Sequence, residues 1–157
     1  GSCTPAVLQS RVAAEAAGLD LRRAALVRFD PSSRRCVPLI TSVDRVGLTA
    51  SALVNHLSDF QVMQIGPASD ISSARVFPNP FRASSQGYLT IDRLPAGAQV
   101  RIFTLHGERV FEGQANASGM LIWKAVNLAG RAVASGIYLI AVEAGGRTQI
   151  MKAGVLR

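Results

Sequence analysis

The sequence predicts an all-β protein, and two observations carry that reading. From Arg75 to Arg157, short strand-like runs alternate with Gly, Pro and Asn turn chemistry at regular spacing, the signature of a small sandwich. The composition supplies a core: 48% of residues are hydrophobic and 17% charged, unlike a disordered chain. The 157 residues suffice for one medium domain or two small ones. The expected architecture is a C-terminal seven-stranded Ig-like β-sandwich over residues 74–157. Before it, residues 1–65 are expected to form a smaller, incomplete β-sandwich region with a short helix, the back half of a larger upstream domain. Residues 66–73 are read as the linker.

Residues 4–20 are Ala-rich. Val12-Ala13-Ala14-Glu15-Ala16-Ala17 ends on Gly18, a stop signal, and predicts a short helix that must dock to be stable. Ala24-Ala25-Leu26-Val27-Arg28-Phe29 predicts a strand. Asp30-Pro31-Ser32-Ser33 predicts a turn, because Pro31 fixes φ and Asp30 can bond its own backbone. The return strand is Cys36-Val37-Pro38-Leu39-Ile40, and Pro38 points to a sheet edge. Further strands are expected at 46–54 and 59–65, the last offering Phe60 and Ile65 to a core. So few elements bury only a marginal core by themselves. Gly66-Pro67-Ala68-Ser69-Asp70-Ile71-Ser72-Ser73 is small and polar with a proline, as boundaries tend to be.

In the second module, strands are expected at 75–77, 87–92, 98–104, 108–112, 119–124, 136–143 and 147–155. Leu94-Pro95-Ala96-Gly97 supplies a turn with Pro at its second position. His106-Gly107-Glu108 closes a tight hairpin in which the glycine takes positive φ, leaving His106 solvated. Two prolines flanking Asn79 impose an extended entry, and Gly136 is expected to permit close backbone approach at a strand start. Trp123, Phe103 and Tyr138 are the expected core aromatics.

Net charge is +7, from 17 Lys and Arg against 10 Asp and Glu, with Lys confined to Lys124 and Lys152. Two readings stay open: attraction to an anionic cell-surface polysaccharide, or an Arg-biased composition spread over solvated faces. The Arg residues are scattered and no aromatics interleave with a basic run, so no nucleic-acid partner is expected. No apolar run approaches the ~20 residues a membrane-spanning helix needs. Cys3 and Cys36 are too few for a zinc site, and no His stands at ligand spacing to them. They are either a disulfide, suited to an extracellular or periplasmic protein, or two free thiols. Calcium loops, phosphate loops and nucleophile elbows are missing, so neither a metal, a cofactor nor catalysis is expected. The chain opens on Gly1-Ser2 without a signal-peptide pattern and is read as the C-terminal portion of a longer protein.

An ordered set of motifs spans the second half. It comprises Pro78-Asn79-Pro80, Leu94-Pro95-Ala96-Gly97, Val100-Arg101-Ile102-Phe103, Gly107, Val110 and Trp123. Asn127-Leu128-Ala129-Gly130-Arg131, Ser135-Gly136-Ile137-Tyr138 and Lys152 complete it. The set resembles the C-terminal sorting domains of bacterial type IX secretion cargo, and equally the Ig-like domain of flagellar hook-capping proteins. Lys124-Ala125 after the Trp, where Asp-Gly is usual, departs from the pattern, as does Thr104-Leu105 before the hairpin. The resemblance implies a non-enzymatic address on a secreted or cell-surface protein that passes through the periplasm. The secretion machinery would read its surface and terminal strand, Lys152 and 147–157 would carry the signal, and any cleavage would fall in 66–73. The hook-cap branch implies an assembly module whose open strand edges a neighbouring subunit completes by β-augmentation.

His56-Leu57-Ser58 stands apart. A His-Leu-Ser tripeptide before an apolar strand resembles the self-cleaving site of autoproteolysis-inducing domains of adhesion receptors. There the Ser58 hydroxyl would attack the Leu57 carbonyl, with His56 as general base. Against this, Asn55 and His56 can cap a tight turn with Ser58 bonding backbone.

Overall fold

The structure, a computed structural model, describes residues 6–11, 23–30, 35–44, 46–47, 49–54 and 59–157. Strands, turns and loops account for all of them, with no helix among the described residues. The short helix expected over residues 12–18 lies outside that set, so the all-β reading stands without it. The chain divides into two compact units, Gly1–Ile65 and Gly66–Arg157.

The first unit has strands β1 (Ala6–Arg11), β2 (Ala24–Asp30), β3 (Arg35–Pro38), β4 (Ser42–Asp44), β5 (Thr49–Val54) and β6 (Phe60–Gln64). They form two three-stranded sheets, in the orders β1-β5-β4 and β3-β2-β6. Central β2 buries Ala24 through Val27, and Leu26 packs with Ala50 and Ala52 while Leu39 and Val62 close the sides. These side chains are small, which is why this core is thin. Pro38 does sit on an edge strand, where its missing N–H costs the ladder nothing. The strand expected at 46–54 starts only at Thr49. Asp44 Oδ1 accepts the Val46 N–H at 2.9 Å, which turns the chain so that β4 pairs back on β5 and leaves Val46 in solvent.

The second unit realises each of the seven expected strands and adds a short eighth. They are β7 (Arg75–Phe77), β8 (Phe81–Arg82), β9 (Leu89–Asp92), β10 (Gln99–Thr104), β11 (Arg109–Gln114), β12 (Leu121–Trp123), β13 (Gly136–Ala144) and β14 (Arg147–Leu156). A five-stranded sheet runs β11-β10-β13-β14-β8, and a three-stranded sheet runs β12-β9-β7. All pairings are antiparallel except β14 with β8, which joins Val155 to Phe81 and Leu156 to Arg82 in parallel. Two residues of strand carry too little periodicity to be read from sequence.

Alternation explains which side chains enter the core. Val100 and Ile102 on β10 and Tyr138, Ile140 and Val142 on β13 all point inward. From the opposite sheet Leu89, Ile91 and Trp123 meet them, and Phe81 and Val155 close one end. Trp123 is the hub. Its ring lies edge-on to Tyr138 at 5.4 Å and tilted to Phe111 at 6.4 Å, which ties the two sheets together. Its indole N–H donates to the Val126 carbonyl at 2.9 Å, so no polar atom of the ring is stranded. Phe103, expected in this core, is only partly buried, because it falls on the outward register of β10 beside Leu139.

Residues 66–73, read in the sequence as a linker, are bonded into this unit. The Ala68 N–H donates to the Leu94 carbonyl at 3.0 Å, and Ile71 is buried in the core. Gly119 makes that approach possible. A Cβ there would stand 2.0 Å from the Leu94 carbonyl oxygen and 3.0 Å from Pro67 Cα, and its φ is 72°.

Candidate functional site

β14 is held along one edge by β13, and its other edge is where the Pro-Asn-Pro motif acts. Prolines lack an N–H, so the backbone at Pro78 and Pro80 cannot donate to a ladder. The Asn79 side chain does it instead. Its Nδ2 donates to the Lys152 carbonyl at 2.9 Å, and its Oδ1 accepts the Gly154 N–H at 3.0 Å. A residue of a parallel strand bonds its neighbour in this two-sided way, so the amide continues β8 by one step. Both X-Pro bonds of the motif are cis. At Gly154 a Cβ would make only ordinary contact with Pro80 Cβ, at 3.4 Å, so the clasp does not depend on glycine there.

The far end of β14 is tied as well. The Ala83 N–H donates to the Leu156 carbonyl at 2.8 Å, and the Arg157 N–H to Ser135 Oγ at 3.0 Å. The Arg157 guanidinium donates through Nη2 to the Ala125 carbonyl at 3.1 Å and through Nε to that of Val133. The Tyr138 hydroxyl donates to the Ala134 carbonyl at 2.8 Å, fixing the same loop from inside the sandwich. Burial pushes that phenol above its ordinary pKa, against the opposing pull of Arg157.

Entry to the module is fastened by Arg75. Its Nε and Nη2 each approach a different oxygen of Asp92 at 2.7 Å, while its guanidinium lies 5.1 Å from the centre of the Phe77 ring. The bonds to Asp92 raise the Arg75 pKa above its usual value, against the opposing effect of burial.

The structure thus brings Asn79, Pro80 and Lys152 together on one edge, and Trp123 and Tyr138 together in the core. Gly97, Gly107 and Gly130 stand in three separate turns, with φ of 76°, 85° and 73°, so they shape the frame and form no common site. Gly136 does not make the close approach expected of it: a Cβ there would meet only Tyr138 Cε2, at 4.0 Å. That requirement falls instead on Gly119. A repeated device also escaped the sequence reading. Asn127 Oδ1 accepts the N–H groups of Ala129 and Arg131 at 3.0 and 2.9 Å, and Asn116 Oδ1 accepts those of Ser118 and Met120 at 3.0 and 2.9 Å. Each Asn is followed three residues later by a glycine at positive φ, a shared Asn-x-x-Gly spacing that was there to be found.

Cys36 is exposed and unpaired among the described residues, while Cys3, its expected partner, lies outside them. His56, Leu57 and Ser58 also lie outside the described residues. Within the described set, no three His, Cys, Asp or Glu side chains gather as a metal site, and no helix is long and apolar enough to cross a membrane.

A comparison with curated proteins finds no match. Among solved structures, the chain is similar to PorZ, an essential bacterial surface component of the type IX secretion system of Porphyromonas gingivalis. The TM-score is 0.52 and the identity 28%, over 62% of this chain and 14% of PorZ. The chain therefore spans a small fraction of that protein's length. A weaker likeness, with a TM-score of 0.40 and 17% identity, is to dimeric latent PorU of the same organism, over 88% of this chain and 17% of PorU. The model of the secretion system C-terminal sorting domain matches residues 75–155, the stretch built around β14 and its clasp. Such domains mark proteins that are exported to the cell surface or secreted, and by this match the chain belongs to the type IX C-terminal sorting domain family.

Proposed function

We propose that the second unit acts as a folded export address, read by the secretion machinery through the surface around β14, and that it performs no catalysis. The observation that carries this reading is the match of the sorting-domain family to residues 75–155, the residues whose bonding converges on the terminal strand. The polar side chains there are spent on backbone. Asn79, Tyr138 and Arg157 each bond carbonyls or N–H groups, which is the work of a frame. The same surface would serve to anchor the protein after export.

The decisive experiment fuses the full chain to the C-terminus of a periplasmic reporter in a type IX-competent host, beside a fusion lacking residues 75–157. Export of the first and periplasmic retention of the second support the reading; equal retention of both refutes it.

A further inference from the structure

We propose that the open half of the β14 edge, from Thr148 to Lys152, is a docking site for an extended acidic strand of a partner protein. The inference rests on the sorting reading above, with that partner a component of the machinery that reads the module. Backbone direction comes first. Along a strand, the N–H and C=O groups of alternate residues point to the same edge. The Lys152 carbonyl and the Gly154 N–H reach outward to Asn79, and the Leu156 carbonyl reaches outward to the Ala83 N–H. By the same alternation, the N–H and C=O groups of Thr148 and Ile150 and the N–H of Lys152 point to that edge. No described residue pairs with them, because β8 engages only Val155 and Leu156 and Asn79 covers only the step before. The Asn79 amide therefore ends the closed half and begins the open one.

Other edges of this unit are less suited. β7 and β12 are three residues long, and β11 carries Arg109 and Glu112 in a mutual ion pair at 2.8 Å, the mixed-charge pattern that blunts an edge. On β14, by contrast, Ile150 is 65% exposed. Around it Arg147 and Lys152 are exposed and in no ion pair among the described residues. The acids nearby are already engaged: Glu143 with Arg101 at 3.1 Å, and Asp70 with the Ser72 hydroxyl and N–H, though Arg147 acts on Asp70 at longer range. Pairing of two copies at this edge would gather their Arg147 and Lys152 side chains on chains of net charge +7 each, which opposes a second copy as the occupant. An incoming strand that alternates acidic and apolar side chains satisfies the open backbone groups and sets its acids on the face that Lys152 shares with Thr148 and Ile150.

The test uses the full chain and two synthetic peptides of about eight residues, one alternating Glu with Val and one alternating Lys with Val. Amide exchange at Thr148, Ile150 and Lys152 is followed with each. The Glu peptide is expected to slow those three amides about tenfold, and the Lys peptide to leave them unchanged. Ile150→Pro removes an outward N–H while sparing the β13 ladder and should abolish the effect. Lys152→Glu keeps the strand and should weaken binding about tenfold. Unchanged exchange with the Glu peptide, or equal protection by both peptides, overturns the proposal. In the exporting host, the same two substitutions are placed in the full-chain fusion. Failure of the wild-type fusion to be exported refutes the sorting reading. Export of the wild type together with undiminished export of Ile150→Pro and Lys152→Glu refutes the docking edge alone. Should Ile150→Pro melt early, Lys152→Glu decides.

Discussion

Replacing Asn79 with alanine removes one donor and one acceptor from the edge of β14, at 2.9 and 3.0 Å. Both partners are backbone groups at a solvent-exposed position, so water can replace the lost bonds and no buried group is orphaned. Each bond then contributes at the low end of the usual range, about 0.5–1 kcal/mol, for a total of about 1–2 kcal/mol. A unit of this size loses about 4–8 °C of Tm per kcal/mol, which puts the expected drop at roughly 4–16 °C. Local exchange separates this from a general loosening. The Gly154 amide should lose protection in Asn79→Ala, while the amides of β13 keep theirs. Asn79→Asp sharpens the test, because a carboxylate still accepts from Gly154 but cannot donate to Lys152. That variant should keep Gly154 protected and still melt below wild type. An unchanged Tm and an unchanged Gly154 amide in Asn79→Ala would falsify the strand-mimic account of the Pro-Asn-Pro motif.

Other expectations follow from the same contacts. Gly119→Ala places a Cβ against the Leu94 carbonyl at a positive φ and should cost more than the ~1 kcal/mol of an ordinary Gly-to-Ala mismatch, read as a large loss of Tm or of soluble protein. Tyr138→Phe leaves the Ala134 carbonyl without its donor and should cost about 1 kcal/mol in chemical denaturation. The Tyr138 pKa is raised in the folded state, so the unfolded chain gives up its proton first. Stability should therefore be intact below about pH 10 and fall above it, and Tyr138→Phe should flatten that alkaline slope. Deleting residues 1–73 should destabilise the second unit relative to a chain cut before Gly66, because Ile71 leaves the core. The intact mass of the full chain should stay constant on long incubation, identical to that of Ser58→Ala; a product cut between Leu57 and Ser58 would show catalysis.

Much of the second unit was legible because its turns are chemically loud. Gly97, Gly107 and Gly130 all take the positive φ that their turns require, and between them alternation marks the strands. β8 was missed because two residues show no period, and its pairing with β14 spans more than seventy positions of sequence. The role of Asn79 was half visible: the prolines announce an irregular entry, but a side chain acting as a piece of strand is a tertiary fact. Phe103 and Tyr138 were read alike as core aromatics, yet the register of β10 turns Phe103 outward and that of β13 turns Tyr138 inward. In the first unit, the Asp44 turn shortened a strand that alternation alone had extended through Val46.

The central claim is that the folded surface of the second unit is the address. It is tested most directly by the partition of a reporter carrying the full chain between periplasm and cell exterior, with Gly119→Val as the unfolded comparison. The account expects the wild type outside and Gly119→Val retained. Retention of the wild type, or equal export of the two, contradicts it.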